Sequence, residues 1–333
     1  MTFPILNDYK AAMTNAKARF ATLDITPRLD GRRGPLFLAG NFAGVFKAER
    51  PDGTLLAVKC FIRDLPNLER RYQAVARFIS AAGSPYFIDL TYHPAEVYVT
   101  STIATAGEFP VVTMPWIDGR TIGAVAGALC EKNNRRALAG LGRAWARLCR
   151  DLLGRGIAHG DLKHDNVLVT PEGRLKLIDY DSMFLPELQG LASPLLGGIN
   201  FQNPARTDRH YDDSVDHFSM LVMLLSLRAL VHDPSLLAKY HNGENIILSH
   251  QDFVTPTASP LLQMLLNSDD CFLADWSGRL VAACRTGALR VPGMRAILRA
   301  ALKLDVNVEP GGPRRLFYLL TAGGRHHAAG RLK

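Results

Sequence analysis

The sequence predicts an α+β fold, with its strands gathered in the first third of the chain and its helices in the remainder. Three observations carry that expectation. Residues 36–61 and 86–117 hold short apolar strands separated by Gly and Pro turns. Residues 134–155 and 219–230 carry apolar side chains at helical spacing. Between them, Val167-Leu168-Val169 and Leu175-Lys176-Leu177-Ile178 flank Pro171-Glu172-Gly173-Arg174, a turn that predicts a hairpin. At 333 residues the chain is long enough for one large domain or two lobes.

Taken in order, residues 7–22 have helix-forming composition, with Tyr9, Met13, Ala16 and Phe20 near one face. This helix is expected to dock on the strands that follow. Pro27, Gly31, Gly34 and Pro35 mark a linker. Residues 36–61 read as strand, tight turn, strand, turn, strand. Gly40 and Gly44 lie in the first turn region, Pro51-Asp52-Gly53 forms the second, and Lys59 sits inside the apolar strand Leu55–Phe61. A lysine in such a strand requires an anionic partner. Residues 65–80 predict an amphipathic helix with the stripe Leu68, Tyr72, Val75 and Ile79, and Glu69 is its only acid.

The predicted hairpin carries polar groups at both ends. Asp161, Lys163 and Asn166 precede its first strand and Asp179 follows its second, so antiparallel pairing is expected to gather them at one mouth. Two carboxylates, a carboxamide and an ammonium suit a divalent metal, a phosphate and a hydroxyl to be deprotonated. Residues 181–204, with Pro186, Pro194 and Gly197-Gly198, read as irregular. The run that follows Asp216 is apolar nearly all round and predicts a central helix. Residues 235–305 read as helices separated by Pro256, Pro260, Gly278 and Pro292, and 310–333 as a glycine-rich basic tail.

Composition limits the alternatives. The net charge of +8 is spread along the chain, which argues against a nucleic-acid partner. The five cysteines (Cys60, Cys130, Cys149, Cys271 and Cys284) contain no CxxC and read as buried thiols of a reducing, cytoplasmic compartment. No signal peptide is visible, and the longest apolar run, Phe218–Leu227, is too short to span a bilayer. His210, His217, His326 and His327 lack metal-ligand spacing and read as packing, surface or tail residues.

HGDLKHDN at 159–166 resembles the H-R-D-L-K-x-x-N loop of the eukaryotic-like (Hanks-type) Ser/Thr protein kinases, and Asp179-Tyr180-Asp181 stands where that family has D-F-G. LAGNFAGVF followed by Ala57-Val58-Lys59 resembles the family's Gly-rich loop and V-A-I-K strand. The likeness covers about residues 36–230 and looks closest to bacterial members. It implies a bilobal kinase-like fold with a small β-rich N-lobe at 36–115 and a larger helical C-lobe at 116–305. An N-terminal helical extension and linker at 1–35 and a basic tail at 306–333 flank them.

The resemblance implies ATP and Mg²⁺ as cofactors and a protein hydroxyl as acceptor. A small-molecule acceptor and a nucleotide-binding pseudokinase scaffold are the alternatives, and Asp181 in place of the family's glycine points toward the former. Carried over residue by residue, Asp161 and Lys163 are catalytic. Asn166, Asp179 and additionally Asp181 are metal ligands. Gly40, Phe42, Val45, Ala57 and Lys59 contact nucleotide, with Glu69 as the helix partner of Lys59. Met114, Trp116 and Ile117 form the adenine-side hinge. Gly160 replaces the family's arginine, and Asn203-Pro204-Ala205 lacks the glutamate of A-P-E. Without that arginine the loop has no cation of its own for a phosphate at Ser182 or Ser193, and Arg206 and Arg209 are the alternative basic residues.

Overall fold

The computed structural model describes residues 2–31, 34–105 and 107–303, and the expected tail with His326 and His327 lies outside them. The chain divides into two compact units. The first comprises 1–119 together with 176–181, and the second 120–175 together with 182–333. This is a β-rich N-terminal unit and a helical C-terminal unit, the fold class expected.

In the first unit the predicted helix at 7–22 is two helices, α1 (Leu6–Thr14) and α2 (Ala16–Arg19), broken at Asn15. The break lets the chain reach strand pairing, since Ala21 N–H donates to the Glu96 carbonyl at 2.8 Å and Phe20 bridges Val97. Short β1 (Thr26–Pro27), β2 (Phe37–Ala39), β3 (Ala43–Glu49) and β4 (Leu55–Phe61) follow, then α3 (Leu68–Ala82), β5 (Thr91–Val99) and β6 (Gly107–Pro115). They form one antiparallel sheet in the order β1-β3-β4-β6-β5, with β2 paired to β3. The turn before β4 closes as its residues dictate: Gly53 takes φ +84° and Asp52 Oδ1 accepts from Thr54 N–H at 2.8 Å.

Strand β4 is buried on both faces. Cross-strand pairs put Phe46, Val58, Cys60 and Val111 on one face. The N-terminal segment covers the sheet through Tyr9 and Phe3 against Phe109, and a Cβ on Gly44 would collide with the Leu6 side chain. The other face carries Val45, Ala57, Lys59, Val112 and Met114. The predicted stripe of α3, Leu68, Tyr72, Val75 and Ile79, is buried. Residues 176–181 join this unit through Leu177 N–H to the Tyr86 carbonyl at 2.8 Å and through Tyr180.

The second unit begins with β7 (Arg120–Thr121), α4 (Ile122–Glu131) and α5 (Arg135–Arg155), and continues through β8 (Val167–Val169) to Leu175, where β9 (Leu175–Leu177), the second strand of the predicted hairpin, begins and passes into the first unit. The three strands form a sheet in the order β7-β8-β9. Helix α6 (His217–His232) is buried from His217 to Val231, as its composition requires, and Trp145 of α5 donates its indole N–H to the Met220 carbonyl at 3.2 Å. Helices α7 (Ser235–Tyr240), α8 (His250–Val254), α9 (Pro260–Leu266), α10 (Cys271–Thr286) and α11 (Met294–Ala301) complete it. One expected breaker acts differently from the sequence reading: Gly278 lies inside α10 beside Leu266. Pro260 stands at a helix boundary as expected, the first residue of α9 behind the Ser259 cap, where a missing N–H costs nothing.

Cys60 and Cys149 are buried as expected, but Cys130, Cys271 and Cys284 are half-buried, and all five are free. Among the described residues no helix is long and apolar enough to cross a membrane.

The apolar run of α6 does not end at Arg228, which is itself buried and paired with Asp270, the cap of α10. Asp270 Oδ2 accepts from Arg228 Nε at 2.9 Å and His232 Nε2 lies 2.8 Å away, while Oδ1 accepts from Phe272 and Leu273 N–H. Burial alone would raise this carboxyl, but the hydrogen bond with His232 and the charge of Arg228 hold it down at about 2. Asp270→Ala is expected to destabilise the protein by about 3–5 kcal/mol in chemical denaturation at neutral pH, because it strands a buried guanidinium. A depressed carboxyl gives stability that is present above its unfolded value and lost as pH falls through the folded one. The gap between variant and wild type should therefore close as pH drops from about 4 toward about 2. An unchanged denaturation midpoint would contradict this.

Candidate active site

In the first unit the lysine inside β4 has the anionic partners its burial demands. Lys59 Nζ lies 2.6 Å from Asp179 Oδ1 and 2.7 Å from Asp181 Oδ2. Burial works against its charge, and the two carboxylates outweigh it, so the ammonium is held well above the ordinary lysine range. The two acids differ in setting. Asp179 is 41% exposed at its side chain and takes φ +66°, a left-handed conformation that asparagine and aspartate tolerate best. Asp181 is 5% exposed at its side chain, and its Oδ1 accepts from the Tyr72 hydroxyl on α3. Burial and the charge of Asp179 push the Asp181 carboxyl up, and Lys59 opposes them.

Tyr180 fixes the segment between the two acids. Its hydroxyl accepts from Ile88 N–H at 3.0 Å and donates to the Leu177 carbonyl at 2.8 Å, so the ring is buried with its polar atom satisfied.

Val45, Ala57, Lys59 and Met114 share one face of the sheet by register. Gly40 and Phe42 lie in the turn between β2 and β3, where Gly40 N–H donates to the Ala43 carbonyl at 2.9 Å and Phe42 is half-buried under the Arg63 guanidinium. Trp116 and Ile117 follow β6 and are half-buried. The Trp116 indole N–H donates to Asp118 at 3.2 Å, and Lys47 lies over its ring.

Two expected site residues are corrected. Glu69 does not meet Lys59. It is exposed in the first turn of α3 and accepts from Gln73 at 2.9 Å, because it lies off the buried stripe. Asp181 is not an open ligand, since Lys59 and Tyr72 take both of its oxygens. Tyr72, which the sequence reading placed only in the core, joins this cluster through its hydroxyl. Its signal was a hydroxyl on a buried stripe, which needs a partner.

In the second unit Asp161, Lys163 and Asn166 come together. Asp161 Oδ2 lies 2.9 Å from Lys163 Nζ and accepts from Asn166 Nδ2 at 3.0 Å, and Asn166 Nδ2 also donates to the Asp161 carbonyl at 2.8 Å. Asp161 Oδ1 accepts from Gly198 N–H at 2.8 Å. Gly197, at φ +78°, permits this approach, since a Cβ there would lie 2.7 Å from Asp161 Oδ1. Asp216 anchors the loop from below: fully buried, it accepts from the N–H groups of His159 and Gly160. Its position before an apolar helix marked it only as a helix start in the sequence.

Gly160 is glycine for a steric reason. It takes φ +81°, and a Cβ would lie 2.1 Å from the Ser182 carbonyl oxygen. A buried guanidinium stands beside it instead: Arg206 donates to the Gly160 carbonyl at 2.8 Å, to Gln202 at 2.5 Å and to Ser193 Oγ at 3.3 Å. The cation beside Gly160 thus comes from the irregular segment.

Among the described residues no group of three or more His, Cys, Asp or Glu side chains is placed to hold a metal ion. With Nδ2 of Asn166 committed to Asp161, the amide oxygen is its group for a cation. In the first unit the Asp179 carboxylate, 41% exposed at its side chain and paired with Lys59, is an oxygen donor of the same hard kind.

No family model matches the chain. It is 29% identical over 175 residues to "Probable serine/threonine-protein kinase RTK1" of Saccharomyces cerevisiae, covering 51% of this chain and 27% of that protein. It is 32% identical over 157 residues to CBL-interacting protein kinase 16 of Oryza sativa, covering 46% and 32%. To CBL-interacting protein kinase 9 of the same plant it is 27% identical over 244 residues, covering 70% and 51%. The chain spans between 27% and 51% of the length of these relatives.

Gly160→Ala is expected to destabilise the protein by more than about 1–2 kcal/mol, the cost of a left-handed side chain with a backbone collision added. A urea midpoint equal to wild type would contradict the stated geometry.

Proposed function

We propose that this chain, which belongs to the Hanks-type Ser/Thr protein kinase family, transfers the γ-phosphoryl group of ATP to a protein serine or threonine hydroxyl with magnesium as cofactor. The observation that carries this reading is the convergence of Lys163 and Asn166 on the Asp161 carboxylate, within 2.9 and 3.0 Å.

Each side chain has a task that its setting suits. Asp161 accepts the proton of the attacking hydroxyl, since its carboxylate is oriented by hydrogen bonds on both oxygens. Lys163 neutralises charge on the phosphoryl group in transit. Lys59, held charged on the face shared with Val45, Ala57 and Met114, orients the α- and β-phosphates. Gly40 and Phe42 contribute the loop over those phosphates, and Trp116 and Ile117 the backbone beside adenine. Asn166 in the second unit and Asp179 in the first each offer an oxygen donor suited to magnesium, which would supply neutralisation of phosphate charge. The chemistry is positioning and charge neutralisation, with no covalent step on the protein.

Asp161→Ala is expected to lower the rate of transfer by roughly 10²–10⁴, the usual worth of a positioned general base, with ATP affinity largely kept. The measurement is ³²P transfer from labelled ATP to casein, to the protein itself and to a small-metabolite mixture, beside a nucleotide-binding titration. Transfer by the variant at the wild-type rate would remove Asp161 from the mechanism. Label found only on metabolites would replace the protein acceptor with a small molecule.

A further inference from the structure

The lysine of a kinase small lobe is ordinarily set by a glutamate on the neighbouring helix. Helix α3 has no such glutamate in reach, because Glu69, its only acid, is exposed and bonded to Gln73. What α3 does present toward Lys59 is a phenol. Tyr72 is 3% exposed and wedged between two rings, edge-on to Phe61 at 5.5 Å and stacked with Tyr92 at 6.0 Å. That packing leaves its hydroxyl a single direction, and along it the hydroxyl donates to Asp181 Oδ1. The other oxygen of Asp181 lies 2.7 Å from Lys59 Nζ.

We propose that Tyr72 and Asp181 are positioning residues for Lys59, so that α3 acts on the lysine through a hydroxyl–carboxylate relay in place of a carboxylate of its own. Three physical points support the assignment. A buried carboxylate is tolerated only when both oxygens are satisfied, and here one is matched to an ammonium and the other to a hydroxyl. The enclosed Asp181 and the open Asp179 then have separate tasks: Asp181 holds the lysine, and Asp179 remains the group that can turn to a cation. The residue two positions after Asp179, glycine in the family, is thereby explained by what α3 lacks. All four side chains lie in one compact unit, so the relay is complete within it.

The effect of the relay on phosphoryl transfer rests on the kinase reading above, and the test keeps the two apart. Full-length wild type, Tyr72→Phe, Asp181→Asn, their double variant and Glu69→Gln are compared by hydrogen–deuterium exchange of the α3 amides without nucleotide. The same proteins, with Asp179→Asn added, are assayed for transfer rate against Mg²⁺ concentration. Tyr72→Phe removes one oxygen and keeps the ring packing, so it serves even if Asp181→Asn folds poorly.

The expected results are faster exchange in α3 for Tyr72→Phe and Asp181→Asn, and wild-type exchange for Glu69→Gln. Transfer by Tyr72→Phe and Asp181→Asn should fall roughly tenfold to a hundredfold, in line with the loss of one hydrogen bond to a charged group. The double variant should lose little more than either single one, because both break the same chain. Half-saturation by Mg²⁺ should move in Asp179→Asn and stay near wild type in Tyr72→Phe. Exchange in α3 that responds to Glu69→Gln and not to Tyr72→Phe would overturn the relay. So would fully additive losses in the double variant. A wild type that transfers no phosphate would sink the kinase reading alone, with the exchange data still deciding the relay.

Discussion

A single buried cation organises the first unit. The Lys59 ammonium lies inside an apolar strand, where water cannot solvate it, and no group nearby in sequence compensates it. Its partners come from 120 residues downstream. Desolvating an ammonium without a matched anion is among the most costly events in folding, so the unit is incomplete until residues 176–181 have joined it. The backbone bond from Leu177 to Tyr86 and the two hydroxyl bonds of Tyr180 give that segment a fixed seat. Sheet, helix α3 and the two aspartates then form one cooperative piece around one charge.

The second unit solves a related problem with glycine. Its loop at 159–166 carries polar backbone through an apolar interior, and those groups find buried partners in Asp216 and Arg206. Close approach is what makes this possible. Gly160 lets the Ser182 carbonyl lie where a side chain would be, and Gly197 lets the irregular segment reach the Asp161 carboxylate. The absence of an arginine before Asp161 therefore follows from backbone placement.

Much of this was legible in residue order. Turn chemistry at Pro51–Gly53 and Pro171–Arg174 fixed the strand boundaries, period-3.6 stripes located α3 and α5, and a run apolar all round located α6. The anionic partner of Lys59 was predictable as a requirement but not as an identity. Glu69 was the only acid on the predicted helix, yet one helical position decides whether a side chain faces the sheet or solvent, and Glu69 faces solvent. Tyr72 was legible as core and not as a donor, because its role depends on an oxygen supplied by another segment. The break at Asn15 was hidden for the same reason: strand pairing to Glu96 and Val97 overrides a continuous run of good helix formers. Gly278 misled in the opposite sense, since an interior glycine is tolerated in a helix whose neighbours pack against it.

The central claim is that the charge of Lys59 is kept in the apolar strand for the phosphates of a nucleotide. Calorimetric titration of the full chain with ATP, with and without magnesium, against Lys59→Met tests it most directly. The account predicts tight binding that requires magnesium in the wild type and at least a tenfold weaker interaction, about 1.4 kcal/mol, in the variant. Equal affinity of the two proteins for magnesium–ATP, or no nucleotide binding by either, would contradict it.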